Sequence, residues 1–193
     1  MIHEKRVIVV GIPGVGKTTV IERVTQLSTQ RKIQARHVVF GTVMMQEAER
    51  LGVKDRDQIR KRSLQEQKEL QSLAAERIGK LRAQLLIIDT HLFIKTQEGY
   101  LPGMPLDVLK TVAPTNIVLV DAPTPNIIAR RAKDLTRRRD VAADEEVEMD
   151  RRVALAMISA TGVALGVPFS VVENREGEAE TTAMEVLGLL GVS

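Results

Sequence analysis

Residues 7–19 read VIVVGIPGVGKTT, and this stretch decides the fold of the chain. It opens with a continuous apolar run, residues 7–10, which is typical of a strand buried on both faces. A glycine-rich turn follows, and Lys17 then begins a segment with the spacing of a helix. A buried strand, a tight turn and a helix in this order predict the first unit of an α/β fold.

The turn matches the full pattern G-x-x-x-x-G-K-T, in which backbone amides surround a phosphate. Its glycines let the backbone direct N–H groups inward, and the following helix adds the positive end of its dipole. The Lys17 ammonium would reach the β- and γ-phosphates, and the Thr18 hydroxyl would ligate Mg²⁺. We therefore predict a site for ATP and Mg²⁺, formed by Gly11, Ile12, Pro13, Gly14, Val15, Gly16, Lys17, Thr18 and Thr19.

The rest of the chain alternates between short apolar runs and longer amphipathic segments. The runs predict further strands at residues 38–40, 85–88, 117–120 and 169–172. Helices are expected at residues 17–30, 42–51, 63–84 and 179–190, with two more beginning near Thr124 and Asp144. This alternation predicts an α/β fold with a mostly parallel sheet. Residues 52–62, 90–104 and 136–143 show no regular pattern and are expected to be irregular.

Composition excludes several classes of protein. The chain has 193 residues, 44% of them hydrophobic, which suits one domain with a full core. It has no cysteine, so disulfides and thiolate metal sites are excluded. No apolar run is long enough to cross a bilayer, and residues 1–6 lack the apolar stretch of a signal peptide, so we expect a cytoplasmic protein without a membrane partner. With one tyrosine and no tryptophan, base-stacking surfaces are scarce, which argues against nucleic acid as a partner.

A site for ATP and Mg²⁺ also needs an acidic side chain near the metal, at the end of another buried strand. Asp89 follows the run at residues 85–88, and Asp121 follows the run at residues 117–120. The spacing of the sequence leaves both acids open as candidates.

Two dense groups of basic residues are candidates for binding further phosphates. The first group consists of Arg130, Arg131, Lys133, Arg137, Arg138 and Arg139. The second group consists of Arg56, Arg60, Lys61 and Arg62. The first could close over the phosphates of ATP and exclude water, or it could be the solvated end of a helix. The second could hold the phosphate of an acceptor nucleotide, or it could be a surface charge run.

Seven segments, taken together and in order, resemble the archaeal type of adenylate kinase. They are GIPGVGKTT at 11–19, FGTVM at 40–44, DRDQIRK at 55–61, DTH at 89–91, IKT at 94–96, GYLPGMP at 99–105 and RRRD at 137–140. The likeness covers almost the whole chain, and the combination is far narrower than the phosphate-binding turn alone.

The resemblance implies reversible, Mg²⁺-dependent transfer of the γ-phosphate of ATP to AMP, which gives two ADP. It implies a single P-loop kinase domain over residues 1–193, built as a three-layer sandwich. In that fold, five parallel strands carry helices on both faces. An AMP-binding helical arm would span about residues 42–82 and a short lid about residues 136–143. The resemblance also implies a homotrimer.

The same resemblance assigns roles to individual side chains. It implies catalytic roles for Lys17, Arg138 and Asp89, and it favours Asp89 over Asp121 as the partner of Thr18 at Mg²⁺. The expected substrate contacts are Thr42, Arg60, His91, Lys95 and Arg137. Two alternatives remain: a kinase for another nucleotide or small metabolite, and a P-loop ATPase or switch that acts on a protein or RNA partner.

Overall fold

The computed structural model describes residues 4–53, 55, 58–59, 62–133 and 144–192. Its strands are β1 (Lys5–Val10), β2 (Ala35–Val39), β3 (Leu85–Asp89), β4 (Phe93–Thr96), β5 (Gly99–Pro102), β6 (Asn116–Asp121) and β7 (Phe169–Glu173). The main helices are α1 (Lys17–Gln30), α2 (Phe40–Arg50), α3 (Leu64–Gly79), α4 (Leu106–Val112), α5 (Thr124–Lys133), α6 (Asp144–Leu165) and α7 (Ala179–Leu189).

The main sheet has five parallel strands in the order β2-β3-β1-β6-β7, so the predicted α/β fold with a five-stranded parallel sheet is confirmed. The central strand, β1, is buried from Val7 to Val10, as its continuous apolar run predicts. On its two sides, Val9 pairs with Asp89 of β3 and with Val118 of β6. Both candidate acids therefore end strands that flank β1.

Helices cover both faces of this sheet. The chain runs from β1 through α1 to the edge strand β2, and later crossovers proceed in the opposite direction, to β3, β6 and β7. Because such crossovers are right-handed, α1 lies on one face and the helices of the later crossovers lie on the other. The last helix, α7, packs against α1. Among the described helices, none has the length and apolar character needed to span a membrane.

Residues 90–104, expected to be irregular, contain an antiparallel hairpin, and a short helix, α4, follows it. In the hairpin, Phe93 pairs with Pro102 and Lys95 pairs with Tyr100. The rings of Phe93 and Tyr100 meet edge to face, with their centroids 4.8 Å apart. Each strand of the hairpin has four residues, and most of them are exposed, so neither strand carries the apolar alternation that marks a half-buried strand.

Helices α2 and α3 form a small unit beside the sheet. They bury Ala48, Val53, Ile59 and Leu70 in a second apolar cluster, separate from the main core. The helix α3 starts as predicted: the Ser63 hydroxyl accepts the amide of Glu66 at 3.3 Å, and the Glu66 carboxylate accepts the amide of Ser63 at 3.0 Å. Most of the proposed arm lies in this unit. The proposed lid, residues 136–143, lies outside the described residues.

The buried Glu47 links the two helices of this unit. Arg77 of α3 donates to its carboxylate at 2.9 Å, and Arg50 donates to it from one turn along α2 at 3.0 Å. Burial acts to raise the pKa of Glu47, but the two arginines outweigh burial and lower the pKa. The unit therefore has an ion pair of its own as well as its own core.

Arg6 of β1 satisfies carbonyl groups at the ends of two helices. Its guanidinium donates to Val112 O at 2.6 Å, to Leu81 O at 3.1 Å and to Gly79 O at 3.3 Å. These contacts also lie where α3 ends, five residues before the predicted limit at residue 84. Burial, with the nearby charge of Arg82, lowers the pKa of Arg6.

We expect the substitution Arg6→Met to lower the free energy of unfolding by about 2 kcal/mol, because Val112 O loses this donor, whereas Gly79 O and Leu81 O keep Arg82 as a donor. Urea denaturation measures this change. The control is Arg23→Met on the exposed side of α1, where the guanidinium donates a hydrogen bond to Gln26 at 2.7 Å. Equal stability of the two variants would contradict the role of Arg6.

Candidate functional site

The turn between β1 and α1 has a backbone that requires glycine. Gly14 and Gly16 have φ angles of +95° and +82°, in the left-handed region that side chains disfavour. At Gly11, an added Cβ would lie 2.7 Å from Val120 O, which leaves no room for a side chain. The loop of residues 11–16 therefore has the shape that the glycine-rich pattern predicts.

Side chains from other elements hold two carbonyl groups of this loop from outside. Arg131 Nε donates to Pro13 O at 2.8 Å. Arg130 Nη1 and Asn174 Nδ2 both donate to Val15 O, at 3.0 Å and 2.7 Å. In a trans peptide, the C=O and N–H groups point in opposite directions. The amides that follow these two carbonyls therefore point to the other side of the loop, where a phosphate would lie.

Lys17, the first residue of α1, contacts the carboxylate of Asp89 at the end of β3. The two side chains are 13% and 11% exposed, so the pair is largely shielded from water. Burial lowers the pKa of Lys17 to about 8. On the other side of Asp89, His37 Nε2 lies 3.6 Å from the carboxylate, and burial together with Lys17 lowers the pKa of His37.

The second candidate acid, Asp121, is engaged elsewhere. Arg151 of α6 binds it with two nitrogens, Nε to Oδ1 at 3.0 Å and Nη2 to Oδ2 at 2.7 Å. These hydrogen bonds raise the pKa of Arg151 above its ordinary value. Arg151 also contacts Glu148 at 2.9 Å. Asp121 is thus neutralised by a cation of its own, whereas Asp89 faces the lysine of the loop.

The other predicted site residues are spread over several elements of the fold. Thr18 and Thr19 lie exposed on the first turn of α1, Thr42 lies exposed on the first turn of α2, and His91 is exposed just beyond β3. Three predicted arginines, Arg60, Arg137 and Arg138, lie outside the described residues.

Lys95 lies on the hairpin, where it is ion-paired. Its ammonium is 2.8 Å from Asp150 and 2.5 Å from Glu146, both on α6. Burial acts to lower the pKa of Lys95, but these two carboxylates raise it. Asp150 also accepts a hydrogen bond from the Tyr100 hydroxyl at 3.0 Å. In this structure, Lys95 therefore connects the hairpin to α6.

Sequence reasoning missed the side chains behind the loop. It left Arg130 and Arg131 open between phosphate binding and a solvated helix end, yet both donate to loop carbonyls. Asn174 carried no signal, because an asparagine after an apolar strand is common, and its partner Val15 is distant in sequence. The packing of β7 beside β6 brings the two together.

The residues present fit ATP and Mg²⁺. The loop offers amides in a left-handed turn, an ammonium and the Thr18 hydroxyl, with the Asp89 carboxylate beside them. Within the described residues, no three His, Asp or Glu side chains form a cluster that could hold a metal. A Mg²⁺ ion would therefore depend on few protein ligands together with phosphate oxygens, which is its usual coordination in nucleotide sites.

Comparison with known proteins finds relatives over nearly the whole chain. Adenylate kinase of Methanocaldococcus jannaschii is 38% identical over 192 residues, which cover 96% of this chain and 98% of that protein. Adenylate kinase of Saccharolobus solfataricus is 40% identical over 193 residues, which cover 95% and 97%. A family model described as an AAA domain matches residues 10–148.

Among solved structures, shikimate kinase from Bacteroides thetaiotaomicron superposes with a TM-score of 0.59 over 97% of this chain and 98% of its own. At 13% identity, this likeness concerns the fold alone. The curated relatives are much more similar in sequence and span the chain from end to end. The chain therefore belongs to the archaeal type of the adenylate kinase family.

Proposed function

We propose that this chain is an adenylate kinase that moves the γ-phosphate of ATP to AMP and forms two ADP, with Lys17 and Asp89 at the centre of its site. The observation that carries the proposal is the contact of these two side chains beside the loop of residues 11–16. Two carbonyl groups of this loop accept hydrogen bonds from side chains on its outer side. An ammonium, directed amides and an adjacent carboxylate are the groups that phosphoryl transfer from a Mg²⁺-nucleotide requires.

The donor nucleotide would lie with its phosphates against residues 11–19. Lys17 exchanges the Asp89 carboxylate for the β- and γ-phosphate oxygens, and its positive charge balances the charge that develops there. When bound, Mg²⁺ neutralises charge on the same oxygens, and Thr18 and Asp89 are the residues that would hold it. Freed from Lys17, the Asp89 carboxylate is available for this role.

The acceptor would enter from the side of α2 and α3. Thr42 and His91 follow shortly after the carboxyl ends of β2 and β3, where ligands of parallel sheets bind. We propose that Arg60 holds the AMP phosphate and that Arg137 and Arg138 close over the transferred group, which excludes water as a competing acceptor. Lys95 could join this set only by leaving Asp150 and Glu146.

Two segments are proposed to move during turnover. The separate apolar cluster and the Glu47–Arg77 pair of the α2–α3 unit support its movement as one body, the AMP-binding arm of about residues 42–82. The lid of about residues 136–143 follows from the resemblance. Closure of both would bring donor and acceptor together in a water-poor site.

We further propose a homotrimer, on the basis of the resemblance, and a cytoplasmic location, which is usual for adenylate kinases. A trimer of this 21.4 kDa chain would have three times that mass, about 64 kDa. Light scattering combined with size exclusion measures the mass directly. A mass near 21 kDa at micromolar concentration would rule out the trimer without affecting the proposed activity.

An acceptor panel tests the proposed reaction. ATP labelled in its γ-phosphate is offered with AMP, CMP, UMP, GMP, shikimate or water alone, and the labelled product is separated. We expect AMP to be the best acceptor, with a transfer rate about a hundredfold above that to water, since the lid and arm are proposed to exclude water from the site. Faster transfer to shikimate or another metabolite would replace the proposal by a different kinase, and hydrolysis unaffected by any acceptor would favour an ATPase.

A further inference from the structure

We infer that Asn174 is a positioning residue for the ATP site, because its side chain fixes the direction of a loop amide that faces the phosphates. This inference rests on the proposed function and deepens it. Asn174 follows β7, and its own backbone amide donates to Asp121 O at 2.8 Å. The residue is therefore anchored between the ends of two strands of the central sheet.

The side chain of Asn174 reaches the loop from behind. It is 2% exposed, and its Nδ2 donates to Val15 O at 2.7 Å. Arg130 donates to the same carbonyl oxygen at 3.0 Å and to the backbone oxygen of Asn174 at 3.3 Å. Arg130 is itself held by Glu176, with Nε 3.0 Å from its carboxylate. The Val15 carbonyl thus receives two donors, and one of them belongs to a fully enclosed side chain.

The peptide between Val15 and Gly16 transmits this contact to the site. Because its C=O and N–H groups point in opposite directions, a donor on Val15 O orients the amide of Gly16 toward the phosphate side. Asn174 also lies directly against Gly16: an added Cβ there would be 2.4 Å from Nδ2. Gly16 has the left-handed φ of +82° and directly precedes Lys17. Asn174 therefore supports the last turn of the loop before the catalytic lysine.

The oxygen of the same side-chain amide offsets the stability that its nitrogen contributes. Asn174 Oδ1 is buried and has no hydrogen-bond partner within the described residues. A buried acceptor left without a partner costs about 1–3 kcal/mol. Alanine at this position would avoid that cost but would lose the donor to Val15 O. The two effects on stability oppose each other, whereas Val15 O would keep only Arg130 as a donor and would lose the enclosed one.

The test is the affinity of the folded Asn174→Ala variant for Mg²⁺-ATP, measured by isothermal titration calorimetry. We expect the dissociation constant to rise by about tenfold, since the peptide that carries the Gly16 amide loses the enclosed one of its two donors. The KM for AMP should stay within about twofold, and the midpoint of thermal unfolding should change little. The control Asn116→Ala removes an amide at the amino end of β6, where it accepts a hydrogen bond from Thr115 at 3.0 Å. This end of the strands is opposite to the loop, so the control should leave the affinity for Mg²⁺-ATP and the KM for AMP unchanged.

Unchanged ATP affinity in the folded Asn174→Ala variant would overturn the inference. So would a parallel loss of ATP and AMP binding together with thermal stability, because that pattern marks a purely structural role. If the alanine variant does not fold, the Asn174→Ser variant is measured instead. The change in its dissociation constant for Mg²⁺-ATP is then compared with the change in its KM for AMP. The native protein is titrated alongside: no ATP binding there would remove the proposed function, whereas native binding with an unaffected variant removes only the role of Asn174.

Discussion

The substitution Lys17→Ala is expected to lower kcat/KM for phosphoryl transfer from ATP to AMP by about a thousandfold, which corresponds to about 4 kcal/mol of transition-state stabilisation. The ammonium is a shielded charge at the start of α1, where it adds to the amides and to the helix dipole. In the proposed donor site, its loss leaves the β- and γ-phosphates without the ammonium at the start of α1. A coupled assay of ADP formation measures the change.

The matched control is Lys110→Ala, which removes an exposed ammonium in the last turn of α4. This variant should retain the activity of the native protein. The Lys17→Ala variant removes a charge that burial disfavours and also leaves the Asp89 carboxylate without this partner, so circular dichroism should first show that it is folded. Activity of the Lys17→Ala variant within about tenfold of the native value would contradict the proposed donor site.

The second large effect is expected from Asp89→Asn, which should lower kcat/KM by about a hundredfold or more and raise the Mg²⁺ concentration for half-maximal activity. The amide keeps the size of the carboxylate but loses the negative charge that Mg²⁺ requires. Asp89 is the acid that lies beside the loop lysine, so it is the one placed to act at the phosphates. Kinetics over a Mg²⁺ titration measure both changes.

The parallel variant Asp121→Asn separates the two acids that the sequence left open. It removes a partner that Arg151 holds with two nitrogens, so we expect a loss of about 1–2 kcal/mol in stability. The Mg²⁺ dependence should stay as in the native protein. A shifted Mg²⁺ dependence in Asp121→Asn, with none in Asp89→Asn, would reverse the assignment.

Much of the fold follows from local patterns in the sequence. The three inner strands of the main sheet, β1, β3 and β6, are nearly continuous apolar runs, and such runs belong in strands that are covered on both faces. The edge strands β2 and β7 are partly exposed and include polar residues, and β2 spans Ala35–Val39 rather than the predicted 38–40, because Phe40 already begins α2. The start of α3 is marked by Ser63 and Glu66, and the end of α6 by Gly166, which has a φ of +65°. These features depend on neighbours in the sequence, which is why they could be predicted.

The hairpin and the contacts behind the loop depend on tertiary packing instead. Tyr100 and Lys95 are held by Asp150, which lies fifty or more residues away in the chain, and no local pattern marks that pairing. The choice between Asp89 and Asp121 also depends on tertiary packing, since both acids end strands that flank β1. Arg151 distinguishes the two acids because it binds Asp121, and its position depends on how α6 packs on the sheet.

One titration tests the central claim most directly: isothermal calorimetry with two adenosines joined through five phosphates, in the presence of Mg²⁺. The account predicts one analogue bound per chain, at least about a hundredfold tighter than ATP or AMP alone, because one molecule fills adjacent donor and acceptor sites. It also predicts that the analogue displaces both nucleotides and that Lys17→Ala loses most of the affinity. An analogue that binds no tighter than ATP, or that displaces ATP without displacing AMP, would contradict it.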